Sequence, residues 1–167
     1  MTKNEAYLNV DWSKQHCGVH QAPPEAVFDL MPDLIPLMQS FPNVLSNFTW
    51  DIKVHMLMPR QYPCIPDWHV DNVPRVNGIQ QFDQIQPDLP MYIWVSGAPL
   101  TQFRGGYLKA KTWQKFNQQT EHRGTAASEF GWRGFIRATH IGIQKPKPDD
   151  WLRRHSQVYI DSTNYQW

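Results

Sequence analysis

Proline and glycine recur along the whole chain and leave little room for long regular helices. The 167 residues include 14 Pro and 9 Gly, spread from one end to the other. Because proline interrupts helix interiors and glycine favours turns, this distribution predicts many short segments joined by turns. A chain of this length is expected to form one domain with a single core. We therefore predict one mainly β domain over residues 1–167.

Composition and charge exclude several classes of protein. The chain is 41% apolar and 13% aromatic, which argues against intrinsic disorder. A net charge of +1 without basic runs gives no clear nucleic-acid footprint. No apolar stretch approaches the roughly 20 residues of a membrane span, and no secretion signal is present. Two cysteines are too few for a disulfide framework. We therefore expect a cytoplasmic protein that does not enter a membrane.

Short helices are expected first and strands afterwards. Residues 24–41 have helix-like apolar spacing, which Pro32 and Pro36 divide into short helices. Between residues 50 and 58 apolar side chains alternate, which indicates a strand with His55 on its other face. Further strands are predicted at residues 91–95, 131–143 and 158–160. About eight short strands after helices are typical of a sandwich, jelly roll or barrel, here over about residues 50–161.

A His-x-Asp triplet provides the first candidate for chemistry. His69 and Asp71 are two residues apart, so on a strand they point to the same side with Cα atoms about 6.5 Å apart. Together with a second imidazole they would form the facial triad that leaves positions open on non-haem iron(II). A His-x-Asp triplet also occurs by chance as a surface pair. The interpretation therefore depends on a third ligand further along the chain.

A later histidine and arginine complete the pattern. His122 lies 51 residues after Asp71, and Arg133 lies 11 residues after His122. Over residues 69–137 this arrangement resembles the iron(II)/2-oxoglutarate-dependent oxygenase superfamily, and the run at residues 68–75 also resembles that of small phage proteins. The superfamily implies a double-stranded β-helix, a jelly-roll or cupin-like barrel, with Fe(II) held by His69, Asp71 and His122. It also implies that Arg133 binds the distal carboxylate of the co-substrate 2-oxoglutarate.

The arginines support this resemblance on physical grounds. A carboxylate inside an apolar barrel needs a permanently charged, bidentate donor, which arginine supplies. Arg133 and Arg137 are four residues apart and would share one face of a strand. Burying both cations without anions would cost several kcal/mol each, and a dicarboxylate would relieve that cost. Arg133 is the predicted anchor, and Arg137 is the alternative or a partner.

Other residues compete for these roles. His140, with Arg153 downstream, is the rival third ligand. Tyr62 and Tyr92 either line the pocket and hydrogen-bond the co-substrate or belong to the core. Three further histidines have no carboxylate at ligand spacing and are expected to be ordinary satisfied or surface residues: His16, His20 and His55.

Three functions are compatible with these patterns. The first is an oxidoreductase, an iron(II)- and 2-oxoglutarate-dependent dioxygenase that hydroxylates a substrate the motifs do not specify. The second is a non-catalytic cupin-like barrel that binds a metal ion or another ligand, and the third is a structural jelly roll. An anchor that points into the metal pocket would favour the first over the second. Metal binding of any kind would count against the third.

Overall fold

The computed structural model describes residues 9–160, so both ends of the predicted domain lie outside the described residues. The described chain is mainly β with a few short helices, which confirms the predicted class. Its strands are β1 Gly18–Ala22, β2 Phe48–Leu57, β3 Gln61–Tyr62, β4 Arg75–Val76, β5 Ile79–Gln80, β6 Met91–Val95, β7 Thr101–Phe103, β8 Gly106–Tyr107, β9 Gln114–Phe116, β10 His122–Gly124, β11 Gly131–His140 and β12 Tyr159–Ile160.

The helices are short, as the prolines predicted. Helix α1 covers Pro24–Leu30 and helix α2 covers Ile35–Gln39. Pro24 and Pro36 both lie in a first helical turn, where a missing backbone N–H costs no hydrogen bond. Pro32 and Pro36 thus lie at the starts of separate short helical segments, as predicted. Single 3-10 turns occur at Trp12–Lys14, Pro32–Leu34, Leu45–Asn47 and Phe82–Gln84.

A five-stranded antiparallel sheet with the order β1-β2-β11-β6-β9 dominates the fold. Strands β2 and β11 pair along their whole length, from Gly131 opposite Leu57 to His140 opposite Phe48. A second sheet has the order β10-β7-β8, and two small pairs join β12 to β3 and β4 to β5. The β4–β5 pair lies in the segment between Asp71 and β6. Among residues 9–160 these sheets form no closed barrel, so closure into a double-stranded β-helix stays a prediction.

The two faces of the main sheet have different surroundings. One face packs apolar side chains such as Trp50, Ile52 and Ile136 against the helices. Trp12 lies directly over Gly134 on this face, in the space that a Cβ atom would occupy. The opposite face carries ionisable residues on neighbouring strands, because side chains alternate along a strand. Those residues are Asp51, Lys53 and His55 on β2, and Arg133 and Arg137 on β11.

Candidate metal centre

The structure brings the three predicted ligands together. Each of His69, Asp71 and His122 offers one ligand atom, and these atoms all lie within 4.8 Å of one another. The Nε2 atom of His69 is 3.9 Å from Asp71 Oδ1, and the Nε2 atom of His122 is 3.5 Å from Asp71 Oδ2. All three side chains are at least half-buried in this arrangement. The cluster can therefore hold a metal ion.

Backbone pairing fixes two of the ligands relative to each other. His122 lies on β10, whereas His69 lies in an irregular segment outside the named strands. The two residues form an isolated antiparallel bridge, in which His69 N donates to His122 O at 3.0 Å and His122 N donates to His69 O at 2.9 Å. Their imidazole rings consequently lie side by side, with centroids 4.4 Å apart.

Hydrogen bonds at the far side of each ring favour metal binding. His69 Nδ1 is 2.7 Å from the backbone carbonyl oxygen of Asp67, and His122 Nδ1 is 3.0 Å from that of Thr120. A carbonyl oxygen only accepts, so each Nδ1 carries the proton and donates. In a neutral ring the Nε2 atom then keeps a lone pair that faces Asp71 and can bind a metal ion, whereas a protonated His122 donates from Nε2 to Asp71. Metal-binding histidines typically make this second contact, which fixes the tautomer and the ring orientation.

Arg137 ties the carboxylate ligand to the main sheet. Its Nη1 donates to Asp71 Oδ2 at 2.8 Å, and its Nη2 donates to Asp51 Oδ2 at 2.9 Å. Burial raises the pKa of Asp71, but the charge of Arg137 and the hydrogen bond from His122 outweigh burial and hold that pKa well below its usual range. Asp71 is therefore a carboxylate at neutral pH, as a metal ligand must be.

Arg137, the alternative anchor, already has two anions within the protein. Asp51 and Asp71 neutralise Arg137 from both sides. Asp51 is only 1% exposed, and it also contacts His20 Nδ1 at 2.7 Å. Sequence reasoning missed Asp51 because no spacing motif connects it to the ligands. Its partner Arg137 faces it across β2 and β11 through the register of the sheet.

A cavity of about 140 Å³ opens beside the three ligands. Three basic side chains and two carboxylates are part of its wall, so one positive charge is in excess. Arg137 and Arg153 both contact Asp51. Lys53 is the remaining cation, and its Nζ atom has no hydrogen bond or ion pair with any residue in 9–160. The cavity therefore has an unneutralised cation in its wall.

Arg133 lies next to this cavity but does not line it. Its side chain is 4% exposed, and Nη2 donates to Thr101 Oγ1 at 3.2 Å. Thr101 itself lines the cavity, so the guanidinium lies behind that hydroxyl. The Nε atom of Arg133 has no partner within residues 9–160, and burial lowers the pKa of Arg133 to about 10. A neighbouring cavity of about 230 Å³ also touches Arg133.

His55 is a buried histidine that sequence reasoning took for an ordinary one. It lies opposite Arg133 in the sheet and is 4% exposed. Neither ring nitrogen has a hydrogen-bond partner among the described residues. Burial, together with the charges of Arg133 and Lys53, lowers the pKa of His55 to about 3. His55 is therefore neutral, and the expectation that it is a satisfied or surface residue is wrong.

The two candidate tyrosines do not line the cavity. The side chain of Tyr92 points to the helix side of the main sheet, where its hydroxyl accepts a hydrogen bond from Asn43 Nδ2 at 2.9 Å and its ring packs edge-on against Phe41. Tyr92 is thus a core residue. Tyr62 lies opposite Tyr159 in the β3–β12 pair, and Tyr159 is the tyrosine that lines the cavity.

The rival histidine lies away from the cluster. His140 ends β11, where its ring packs edge-on against Phe48 and its Nδ1 accepts a hydrogen bond from Gly142 N at 3.0 Å. Within residues 9–160 the potential metal-binding group contains His122 and not His140.

A second cavity, of about 420 Å³, also borders His69. Its wall includes the apolar side chains of Val70, Phe82 and Ile85 together with polar groups. His69 lines both cavities, so a molecule in the second cavity would lie close to the metal-binding cluster.

The chain matches no protein-family model, no curated protein and no solved structure. Among the helices of residues 9–160, none combines the length and the apolar character needed to cross a membrane. The geometry and chemistry of the site are therefore the basis for any functional proposal.

Proposed function

We propose that this protein is an iron(II)- and 2-oxoglutarate-dependent oxygenase built on a double-stranded β-helix. The observation that carries the proposal is the convergence of two imidazole Nε2 atoms and one carboxylate at a small cavity. Two histidines and one carboxylate are the typical ligand set of non-haem iron(II) oxygenases, because three coordination positions stay open for the reactants. His69, Asp71 and His122 would hold the ion.

The donor set fits an open site better than a structural zinc site. Structural zinc is bound by four protein ligands, whereas the group found within residues 9–160 has three. Cys64 is a further lining residue with a donor atom. Its sulfur does not belong to the group of ligand atoms that lie within 4.8 Å of one another, so Cys64 does not complete a four-ligand site in this arrangement.

The cavity also favours a compact dianion as co-substrate. Its volume of about 140 Å³ is well below the roughly 300–1,000 Å³ of sites for drug-sized ligands. A divalent ion would add two positive charges to a wall that already has one in excess. A dicarboxylate such as 2-oxoglutarate would neutralise most of this charge. An uncharged ligand would leave the partly buried Lys53 and the metal ion without a compensating anion, which is costly.

The residues around the site have distinct roles in this proposal. Arg137 keeps Asp71 ionised and oriented, and the bridge between His69 and His122 fixes both imidazoles. Ile93 and Phe135 form an apolar part of the cavity wall and limit the entry of water. Bound iron(II) would activate dioxygen, and this activation would be coupled to the decarboxylation of 2-oxoglutarate. The second cavity beside His69 would receive the primary substrate.

Succinate formation tests the proposal. Protein loaded with iron(II) should convert 2-oxoglutarate to succinate in air, and Asp71→Ala should abolish this turnover. Asp67→Ala is the matched control, because the Asp67 side chain is exposed and only its backbone carbonyl contacts His69. Equal turnover in Asp71→Ala and wild type would contradict the proposal.

A metal-binding barrel without oxygenase activity is the second candidate. The position of Arg133 favours it, because the predicted anchor lies behind Thr101 and not in the cavity wall. This candidate predicts that one manganese(II) ion binds per chain while no succinate forms from 2-oxoglutarate. Calorimetry and the turnover assay on the same preparation separate the two functions.

A further inference from the structure

Lys53 is a partly buried cation in the wall of the cavity that has no anionic partner among the described residues. It lies on β2 opposite Phe135, and its side chain lines the cavity that contains the metal-binding cluster. The residue is partly buried, and burial lowers the pKa of Lys53. Lysine is rarely buried without a partner, because the cost of removing its charge from water must be offset. Within residues 9–160 no carboxylate forms an ion pair with Lys53, and Asp51, whose charge acts on Lys53, is already paired with Arg137 and Arg153. A ligand in the cavity could therefore provide the missing partner.

Thr101 offers a second group to the same ligand. Its Oγ1 accepts a hydrogen bond from Arg133 Nη2 at 3.2 Å. Arginine only donates, so the hydroxyl proton of Thr101 is not used in that contact. This proton has no other acceptor within the described residues, and Thr101 lines the cavity. The hydroxyl is therefore free to donate to a ligand, while Arg133 fixes its oxygen from behind.

From these contacts we infer that Lys53 and Thr101 bind the distal carboxylate of the co-substrate and that Arg133 is a positioning residue for Thr101. The inference rests on the proposed function, since it assigns one end of the co-substrate of the same site. It places the charged anchor on β2 and not on β11, where the spacing after His122 predicted it. A carboxylate oxygen can accept from the ammonium and from the hydroxyl at once.

The positions along the sheet agree with this assignment. The pair of Arg137 and Asp51 is next to the ligand cluster, and Lys53 is the next residue on that face of β2. A step of two residues along a strand is about 6.6 Å, which places Lys53 within reach of the far end of a short dicarboxylate. Arg133 is one step further, behind the wall formed by Thr101 and Phe135. Lys53 is thus the nearer cation without an anion.

The experiment compares two keto acids on protein loaded with manganese(II). One is 2-oxoglutarate, and the other is 2-oxopentanoate, which has the same carbon chain but no distal carboxylate. Lys53→Met should weaken 2-oxoglutarate by roughly 10- to 100-fold, the usual loss for a charge-assisted hydrogen bond, and leave 2-oxopentanoate unchanged. Thr101→Val should weaken 2-oxoglutarate by roughly fivefold. The manganese(II) affinity, measured by calorimetry, should stay at the wild-type value in both variants.

The possible outcomes separate a failure of the proposed function from a failure of the Lys53 assignment. If wild-type protein binds manganese(II) but no 2-oxoglutarate, the proposed function and the Lys53 assignment fail together. If 2-oxoglutarate binds and Lys53→Met keeps wild-type affinity while Arg133→Met loses it, Arg133 is the direct anchor and the Lys53 assignment alone is wrong. If Lys53→Met weakens both keto acids equally, Lys53 does not recognise the distal carboxylate. Selective loss of 2-oxoglutarate in Lys53→Met supports the assignment.

Discussion

Replacing Arg137 by Met tests how much the contacts of Arg137 with Asp51 and Asp71 contribute to the stability of the fold. The guanidinium donates to Asp71 at 2.8 Å and to Asp51 at 2.9 Å, and the Asp51 side chain is only 1% exposed. Removing one partner of a buried ion pair typically costs about 3–5 kcal/mol, because it leaves a charge uncompensated. Asp51 keeps its contacts with His20 and Arg153. We therefore expect the free energy of unfolding to fall by about 3 kcal/mol at pH 7.

The loss of unfolding free energy caused by Arg137→Met should be smaller at acid pH than at pH 7. Burial raises the pKa of Asp51, but Arg137 and His20 outweigh burial and hold it well below its usual range. A carboxyl group with a depressed folded-state pKa adds stability that is present above its unfolded pKa of about 3.9 and is lost as the pH falls towards the folded value. Without Arg137 the depression is smaller. The difference between wild type and Arg137→Met should therefore narrow below about pH 4.

Urea denaturation followed by tryptophan fluorescence, in the presence of a chelator, measures both effects. Arg154→Met is the matched control, because Arg154 pairs with Asp150 through side chains that are 82% and 69% exposed. Its loss of stability should be below about 1 kcal/mol. If Arg137→Met is as stable as Arg154→Met, or if its difference from wild type does not change with pH, the contacts of Arg137 with Asp51 and Asp71 do not stabilise the fold.

Three further predictions concern single positions. His122→Ala should abolish manganese(II) binding in calorimetry and His140→Ala should not, because only His122 lies in the ligand cluster; the reverse result would move the site to His140. His55 has a pKa of about 3 against 6.5 for a free imidazole, so wild-type stability should fall by roughly 1 kcal/mol per pH unit below about pH 6.5. His55→Leu should lack this slope in urea titrations, and an unchanged slope would exclude His55 as its origin. Gly134→Ala should destabilise the fold by roughly 1–3 kcal/mol, because its Cβ atom would overlap Trp12; a wild-type thermal midpoint would contradict this packing.

The sequence was sufficient to predict that His69, Asp71 and His122 form a candidate metal site, because such a site restricts both residue type and spacing. His69 and Asp71 are two residues apart, and His122 lies where the oxygenase resemblance requires a second imidazole. The pair of Asp51 and Arg137 was not predictable in this way. These residues are 86 positions apart, and they meet only because β2 and β11 adopt one particular register. Register depends on the packing of the whole sheet and not on a local motif.

Strand periodicity predicted which side chains share a face, but not what each face contacts. The alternation of β2 correctly separated His55 from the apolar residues Ile52 and Val54. Only the structure shows that the apolar face packs against helices and that the other face, with Lys53, borders the cavity. The same limit explains Tyr92, whose strand was predicted correctly but whose side chain lies on the helix side.

The backbone bridge between His69 and His122 bears on how fast an ion is captured. Both residues donate and accept across this bridge, so backbone hydrogen bonds alone hold their Cα atoms about 5.5 Å apart. Asp71 is likewise held by Arg137. Contacts within residues 9–160 thus already hold all three candidate ligands, so association is expected to be a single bimolecular step. Its observed rate should rise linearly with metal concentration, without the plateau that a preceding conformational change would impose.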